Sequence, residues 1–459
     1  MHKPQPENLM TTTKQNHMHI VVQLPSGQGI EPGGWRWPTQ DKAAWLDEDG
    51  YIKAAQLAEQ AKLDGLFIAD TPGITMDISH QPPHHGLDPI VLMTLMAKAT
   101  GHLGLIPTLS TSLNEPYTIA RMLRSLDLVS KGRMGWNVVT TNSQEAQLNY
   151  LPGILDHAHK HARSLEVWEA VLRLWGSWPE GALKLDVASG LFADTSRIQP
   201  INYRGEYVTT RGPINLPPSP QGQPPVFTAG GGEYGFEFAA TRADAMYSNP
   251  PTLDYARHFW QQLAAGIRQA GRSPDEFTVF NGIGVSIAAS EQEALNRRAA
   301  LDELGDPAAR RQYLGHMLGI PVMELNPDAP IPAALLQRAR PNPRDQRSKY
   351  AYDLAVKGFT IRKVLAHGPI NYHPIFLGTP EQIADKFQQW FEAGVGKGFS
   401  VVPDSGLESP TDFVEQVVPI LQKRGLLRTE YAGTTLREHL GLPYQNGIPE
   451  GSPALAATR

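Results

Sequence analysis

Gly132-Arg-Met-Gly-Trp-Asn-Val-Val-Thr-Thr-Asn-Ser143 is the stretch on which the fold turns. A run of strand formers, Met134 to Val139, spills straight into hydroxyl and amide side chains. A strand that is apolar along its length and polar only where it ends delivers those polar groups to the mouth of a sheet or barrel. Asn137 sharpens the point. Asparagine is disfavoured in mid-strand, so its place between Trp136 and Val138 implies a polar group inside the fold for its amide to meet.

Working outward, short apolar runs recur at Met18–Leu24, Gly65–Ala69, Leu103–Leu109, Pro224–Ala229, Asp244–Ser248, Phe277–Ile287 and Gly398–Val402. Segments of helical period separate them, among them YIKAAQLAEQAKLD, PYTIARMLRSLDLVSKG and TPEQIADKFQQWFEAG. With Met134–Thr140 the runs number eight, which predicts a closed (β/α)8 TIM barrel, an α/β fold, with a doubly wound sheet as the alternative. The reading is one domain over 1–459, with insertions near 177–223 and 291–374 and flexible termini at 1–16 and 445–459.

Bulk properties narrow the chemistry. A chain of 459 residues with 41% hydrophobic and 19% charged residues can build a large core. The net charge of -5 gives no basic excess for nucleic acid or an acidic membrane. The absence of cysteine removes disulfides, thiolate nucleophiles and zinc ribbons. A polar N-terminal segment without an apolar core leads us to expect a cytoplasmic protein.

In a barrel of this kind chemistry gathers at the C-terminal ends of the strands. Asp70 ends the second strand before Thr-Pro-Gly, as a site residue or a turn cap. The third ends in IPTLSTS and supplies Thr108, Ser110 and Thr111, of which Ser110 or Thr111 alone reads as a helix cap. After the fourth, Asp156 caps a helix whose first turn sets His157, Lys160 and His161 on one face. Cations there oppose the helix dipole unless an anion such as phosphate sits among them. A solvated face is the competing reading. A metal is the third, but the glutamate of HExxH is missing and no metal is expected. The fifth strand leads into Gly230, Gly231 and Gly232, whose backbone can cradle an anion at a helix start.

At this point the chain resembles a family, the bacterial luciferase-like flavin monooxygenases, in the two-component branch of nitrilotriacetate, EDTA and dibenzothiophene sulfone monooxygenases. The resemblance runs through GGWRWP, DGLFIAD, NEPYTIARMLRSLDLVSKGRMGWNVVT, LRLWGSW, RGPINLPPSPQGQPPVFTAG and VVPILQKRGLLRTEYAGTTLREHLGLP. It implies FMN, used as reduced FMN from a separate NAD(P)H:FMN reductase, with O2 as cosubstrate and a homodimer or larger homo-oligomer. It further implies Asp70, Thr108 and Asn137 along the isoalloxazine and ribityl chain, and His157, His161, Gly230, Gly231 and Gly232 at the phosphate. Two departures stand out: Lys160-His161 where the family has Arg-Tyr, and glycine where it has serine at 231 or 232. A partly charged imidazole still donates to phosphate, so FMN binding is expected to strengthen as pH falls.

The family's reactions oxidise a carbon next to nitrogen or sulfur and cleave the C–N or C–S bond. His80, His84 and His85, in HQPPHHGLD, are candidates to orient substrate or act as acid or base, with an exposed loop as the competing reading. Tyr313, Met317 and Met323 of the second insertion are candidates for pocket lining or for core. Two other functions stay open on sequence: a flavin or deazaflavin oxidoreductase working by hydride transfer, and a flavin-binding protein without activity.

Overall fold

The computed structural model describes residues 17–24, 29–343 and 345–448; the expected flexible ends 1–16 and 449–459 lie outside them. Nine parallel strands carry the fold: β1 (His19–Gln23), β2 (Gly65–Ile68), β3 (Gly104–Ser110), β4 (Trp136–Val139), β5 (Val226–Ala229), β6 (Ala245–Ser248), β7 (Thr278–Ile287), β8 (Ile375–Gly378) and β9 (Lys397–Pro403). Their order is β6-β5-β4-β3-β2-β1-β9-β7-β8. Pairing of β6 with β7, Ala245 opposite Thr278 through Ser248 opposite Asn281, closes an eight-stranded barrel.

The eight expected strands are the eight that close the ring, and β8 was not among them. It pairs with the upper half of β7, Gly284 opposite Ile375, beyond the residues that bond β6. Ten residues long and buried throughout, β7 outruns its neighbour, and the short run IFLG satisfies the backbone groups left over. The insertion at 177–223 holds two small antiparallel hairpins, and that at 291–374 is helical.

Side chains alternate along each strand. Ile20, Leu66, Leu105, Trp136 and Met246 face outward into the helix layer, where the Trp136 and Trp175 rings meet edge to face. Val21, Phe67, Ile106, Phe227 and Phe280 face inward and are joined by Leu436, Leu440 and Leu442 from the C-terminal segment. This segment plugs the N-terminal end of the barrel. Its buried Arg437 donates to the Gln223 carbonyl and lies 3.3 Å from Asp244 Oδ2. Residues 445–448, expected to fray, are instead tied down: Gly447 N donates to Gln223 Oε1 at 2.6 Å and Asn446 Nδ2 to the Trp178 carbonyl at 2.8 Å. With one end sealed, the barrel is open only at the C-terminal ends of its strands.

Candidate active site

One step beyond the packed layer, the inward positions turn polar. Asn137 Nδ2 donates to Thr108 Oγ1 at 2.8 Å across the β3–β4 pair, both side chains buried, while Asn137 Oδ1 has no partner among the described residues. That bond explains why β4 tolerates asparagine. Asp70 follows β2, half-buried, its carboxyl pushed up to about 6 by burial and by Asp88, against a hydrogen bond from the Thr71 N–H. Behind this wall Thr111 Oγ1 donates to Ser164 Oγ at 2.9 Å, tying β3 to the helix His157–Gly176.

That helix begins as expected, with Asp156 accepting from His159 N. His157, His161, Gly230, Gly231 and Gly232 line one cavity of about 510 Å3, together with Thr140 and Tyr234. The Tyr234 ring stacks on His161 with centroids 4.2 Å apart. Gly232 caps the helix Glu233–Thr241 without a side-chain hydrogen bond, and a Cβ at any of the three glycines would meet no heavy atom of the described residues within 4 Å. Lys160 departs from the sequence reading: it turns inward, buried, and donates to Asn142 Oδ1 at 2.7 Å and to the Thr141 carbonyl. From that first turn, the imidazoles of His157 and His161 are what line the cavity. His161 sits 3.6 Å from Glu237, itself held by Arg242 at 2.5 Å, and burial lowers the His161 pKa from its usual value.

A second cavity of about 520 Å3 shares Ala229, Gly230 and Gly231 with the first. It is walled by Tyr247 of β6 and by Arg347, Tyr350, His367 and His373 of the insertion, which thus roofs part of the mouth. Both volumes fall within the roughly 300–1,000 Å3 typical of small-molecule sites. None of the three histidines expected here lines either cavity, although His84 lies near enough to the chamber residue His373 to act on its imidazole. His80 is exposed, its carbonyl accepting from Trp35 Nε1; His84 is exposed and lies edge-on to His85. His85 is half-buried with an unpartnered Nδ1, and burial lowers it to about 4. Tyr313, Met317 and Met323 line neither cavity: Met317 is core, and the other two are exposed.

The mouth residues that sequence reasoning missed are Tyr247 and His373, whose Oη and Nε2 are hydrogen-bonded. Tyr247 was within reach, being two places after the inward-facing Ala245 on an expected strand. Nothing in NYHPIF marks His373, which arrives beside β6 only because β8 pairs with β7.

A barrel sealed below, with a cavity lined by glycines and histidines beside its mouth, agrees with what comparison finds. The family model for luciferase-like monooxygenases matches residues 39–397. The chain belongs to the luciferase-like monooxygenase family. N-acetyl-S-(2-succino)cysteine monooxygenase of Bacillus subtilis (strain 168) is 36% identical over 94% of this chain and 98% of its own. Nitrilotriacetate monooxygenase component A of Aminobacter aminovorans is 34% identical over the same shares, 94% and 98%. Among solved structures, EDTA monooxygenase from Chelativorans sp. BNC1 superposes with a TM-score of 0.79 at 30% identity, covering 93% of this chain and 99% of that one. This luciferase-like chain is thus a monooxygenase. Among its described residues no helix is long and apolar enough to cross a membrane, and no cluster of three or more acidic, cysteine or histidine side chains is arranged to hold a metal.

Proposed function

We propose that this monooxygenase is the oxygenase component of a two-component system. It takes reduced FMN from a separate NAD(P)H:FMN reductase and uses O2 to oxidise a small organic substrate next to nitrogen or sulfur, with C–N or C–S cleavage. The observation that carries the reading is the junction of the two cavities at Ala229–Gly231, an anion cradle on one side and a polar and aromatic chamber on the other. Relatives named for nitrilotriacetate, succinocysteine and dibenzothiophene sulfone support the substrate class, and the words "component A" support a second component.

The residues fit a flavin mononucleotide. His157, His161 and the free N–H groups after Gly230 would hold its phosphate, and the unpartnered Asn137 Oδ1, with Thr108 and Asp70, would face its ring and ribityl chain. When bound in reduced form it supplies the two electrons that let O2 place one oxygen atom in the substrate and release the other as water. The protein's own share is to orient and to exclude. The insertion roofs the chamber, and the leucine plug bars solvent from below. Tyr247 and His373 offer polar atoms in a wall of mixed polar and aromatic side chains. We read the assembled protein as a homodimer or larger.

The test is anaerobic titration with photoreduced FMN, then addition of reductase, NADH, O2 and the panel of compounds for which the relatives are named. Saturable binding of reduced FMN followed by an oxygenated, cleaved product supports the proposal. Product formed from a reduced deazaflavin without O2, or no binding of reduced FMN, overturns it.

A further inference from the structure

Tyr247 and His373 sit where the chamber meets the barrel, and the fold holds them from several sides. The Tyr247 ring stacks on Phe67 at 5.5 Å, and Tyr372 meets the His373 imidazole edge-on at 4.9 Å. Gly282 of β7 leaves room for both. A Cβ there would come within 2.4 Å of Tyr247 Oη and 2.7 Å of His373 Cδ2, so no other residue fits beneath the pair.

The proton arrangement follows from counting partners. His373 is 3% exposed, its Nε2 is bonded to Tyr247 Oη, and its Nδ1 has no partner among the described residues. If Nε2–H donated to Tyr247, the phenol hydrogen and the Nδ1 lone pair would both be left unmet. If the phenol donates to Nε2, only one group, Nδ1–H, is left. The second arrangement wastes less and leaves one buried N–H donor unmet on a residue that lines the chamber. Burial keeps this imidazole uncharged, with His84 acting in the same direction. Lys386 and Arg347, the latter paired with Asp345 at 3.1 Å, line the same chamber, and among the described residues no aspartate or glutamate does.

We propose that the Tyr247–His373 pair is a specificity device whose Nδ1–H fixes an oxygen acceptor of the substrate, a carboxylate or a sulfone, in a chamber biased toward negative charge. The word substrate rests on the function proposed above; the binding site itself does not.

Two measurements on the full chain decide it. The first is nitrogen NMR of [15N]histidine-labelled protein, assigned with His373→Val. The expected tautomer is Nδ1–H, and nitrilotriacetate, N-acetyl-S-(2-succino)cysteine or dibenzothiophene sulfone shifts that signal while dibenzothiophene, which lacks the oxygens, leaves it alone. A carboxylate that shifts it and a sulfone that does not, or the reverse, identifies the class. The second is affinity: H373V weakens binding of the responding probe at least tenfold with reduced FMN affinity unchanged, and H373N, which restores an N–H donor, recovers most of the loss. A merely structural role would not separate the two variants, and Y247F, which frees the tautomer, stands in if H373V fails to fold. An Nε2–H tautomer, a signal silent to all three acceptor probes, or wild-type affinity in H373V overturns the proposal. Product formed by H373V at the wild-type KM would sink it and leave the oxygenase reading standing. Probe binding that depends on His373, without oxygenated product when reductase, NADH and O2 are supplied, would do the reverse.

Discussion

A Cβ placed at Gly231 would meet no heavy atom of the described residues within 4 Å, so there is room for a small side chain. Gly231→Ser should therefore fold normally and add a donor for a phosphate oxygen. A hydrogen bond to a charged acceptor contributes roughly 1.5–3 kcal/mol, so reduced FMN should bind about ten- to a hundredfold more tightly, read by anaerobic titration. Next to it, burial holds His161 below its usual range; Glu237 opposes the shift, and Arg242 and His157 reinforce it. A phosphate arriving there favours the imidazolium, so affinity for FMN should be greater at about pH 6 than at about pH 8. A flat profile would mean that the backbone carries the phosphate alone. Asp70 makes the opposite kind of test. Its folded pKa is raised to about 6, so whatever stability this carboxyl contributes is present at acid pH and lost as pH rises through that value. Asp70→Asn should stabilise the protein by about 1–2 kcal/mol at pH 8 and hardly at all at pH 4, measured by urea unfolding at both.

At the scale of elements, the C-terminal plug is the part whose removal is easiest to read. Leu436 is fully buried in the notch between Gly104 and Gly135, where a Cβ at Gly104 would lie 2.5 Å from Leu436 Cδ1. The two glycines and the leucine fit only one another. Leu436→Ala should cost about 2–5 kcal/mol in urea unfolding, with reduced FMN affinity unchanged, because the plug lies at the opposite end of the barrel from the cradle. Strand β7 shows the complementary case, in which an element outruns its ring. Its lower half closes the barrel and its upper half pairs with β8, and that pairing sets His373 beside Tyr247.

Across the whole molecule, the first loop and the roofing insertion are joined by buried ions. Glu31, 4% exposed, lies 2.7 Å from the fully buried Arg298 and accepts from Asn371 Nδ2 at 2.8 Å; Arg310 bonds Asp302 at 2.8 Å in the same cluster. Asn371 stands two residues before His373, so the cluster braces the chamber wall. Glu31→Gln should destabilise the protein by about 3 kcal/mol, because it removes the nearer carboxylate from the buried Arg298 and leaves it only Asp302 at 3.8 Å as an ion-pair partner. Loss of stability without a change in reduced FMN affinity would place the cluster's work in the roof, whereas unchanged urea unfolding would show that the pair contributes nothing net.

The barrel and the cradle are local in origin, and so the sequence alone determined them. Each ring strand is a self-contained apolar run that turns polar where it ends, and each helix beside the cradle carries its own cap or glycine entry. Asn137, His157, His161 and Gly230 are legible because a polar residue at a strand end or a helix start has few places to point. What only the tertiary structure decided depends on partners far apart in the chain. β8 is a strand because β7 leaves backbone groups unpaired, and the leucines of 436–442 are core because the barrel floor is empty without them. Lys160 leaves its expected face because the Thr141 carbonyl and Asn142 lie within reach. Tyr247 and His373, 126 residues apart, meet only once the ring has closed and the insertion has folded back over it.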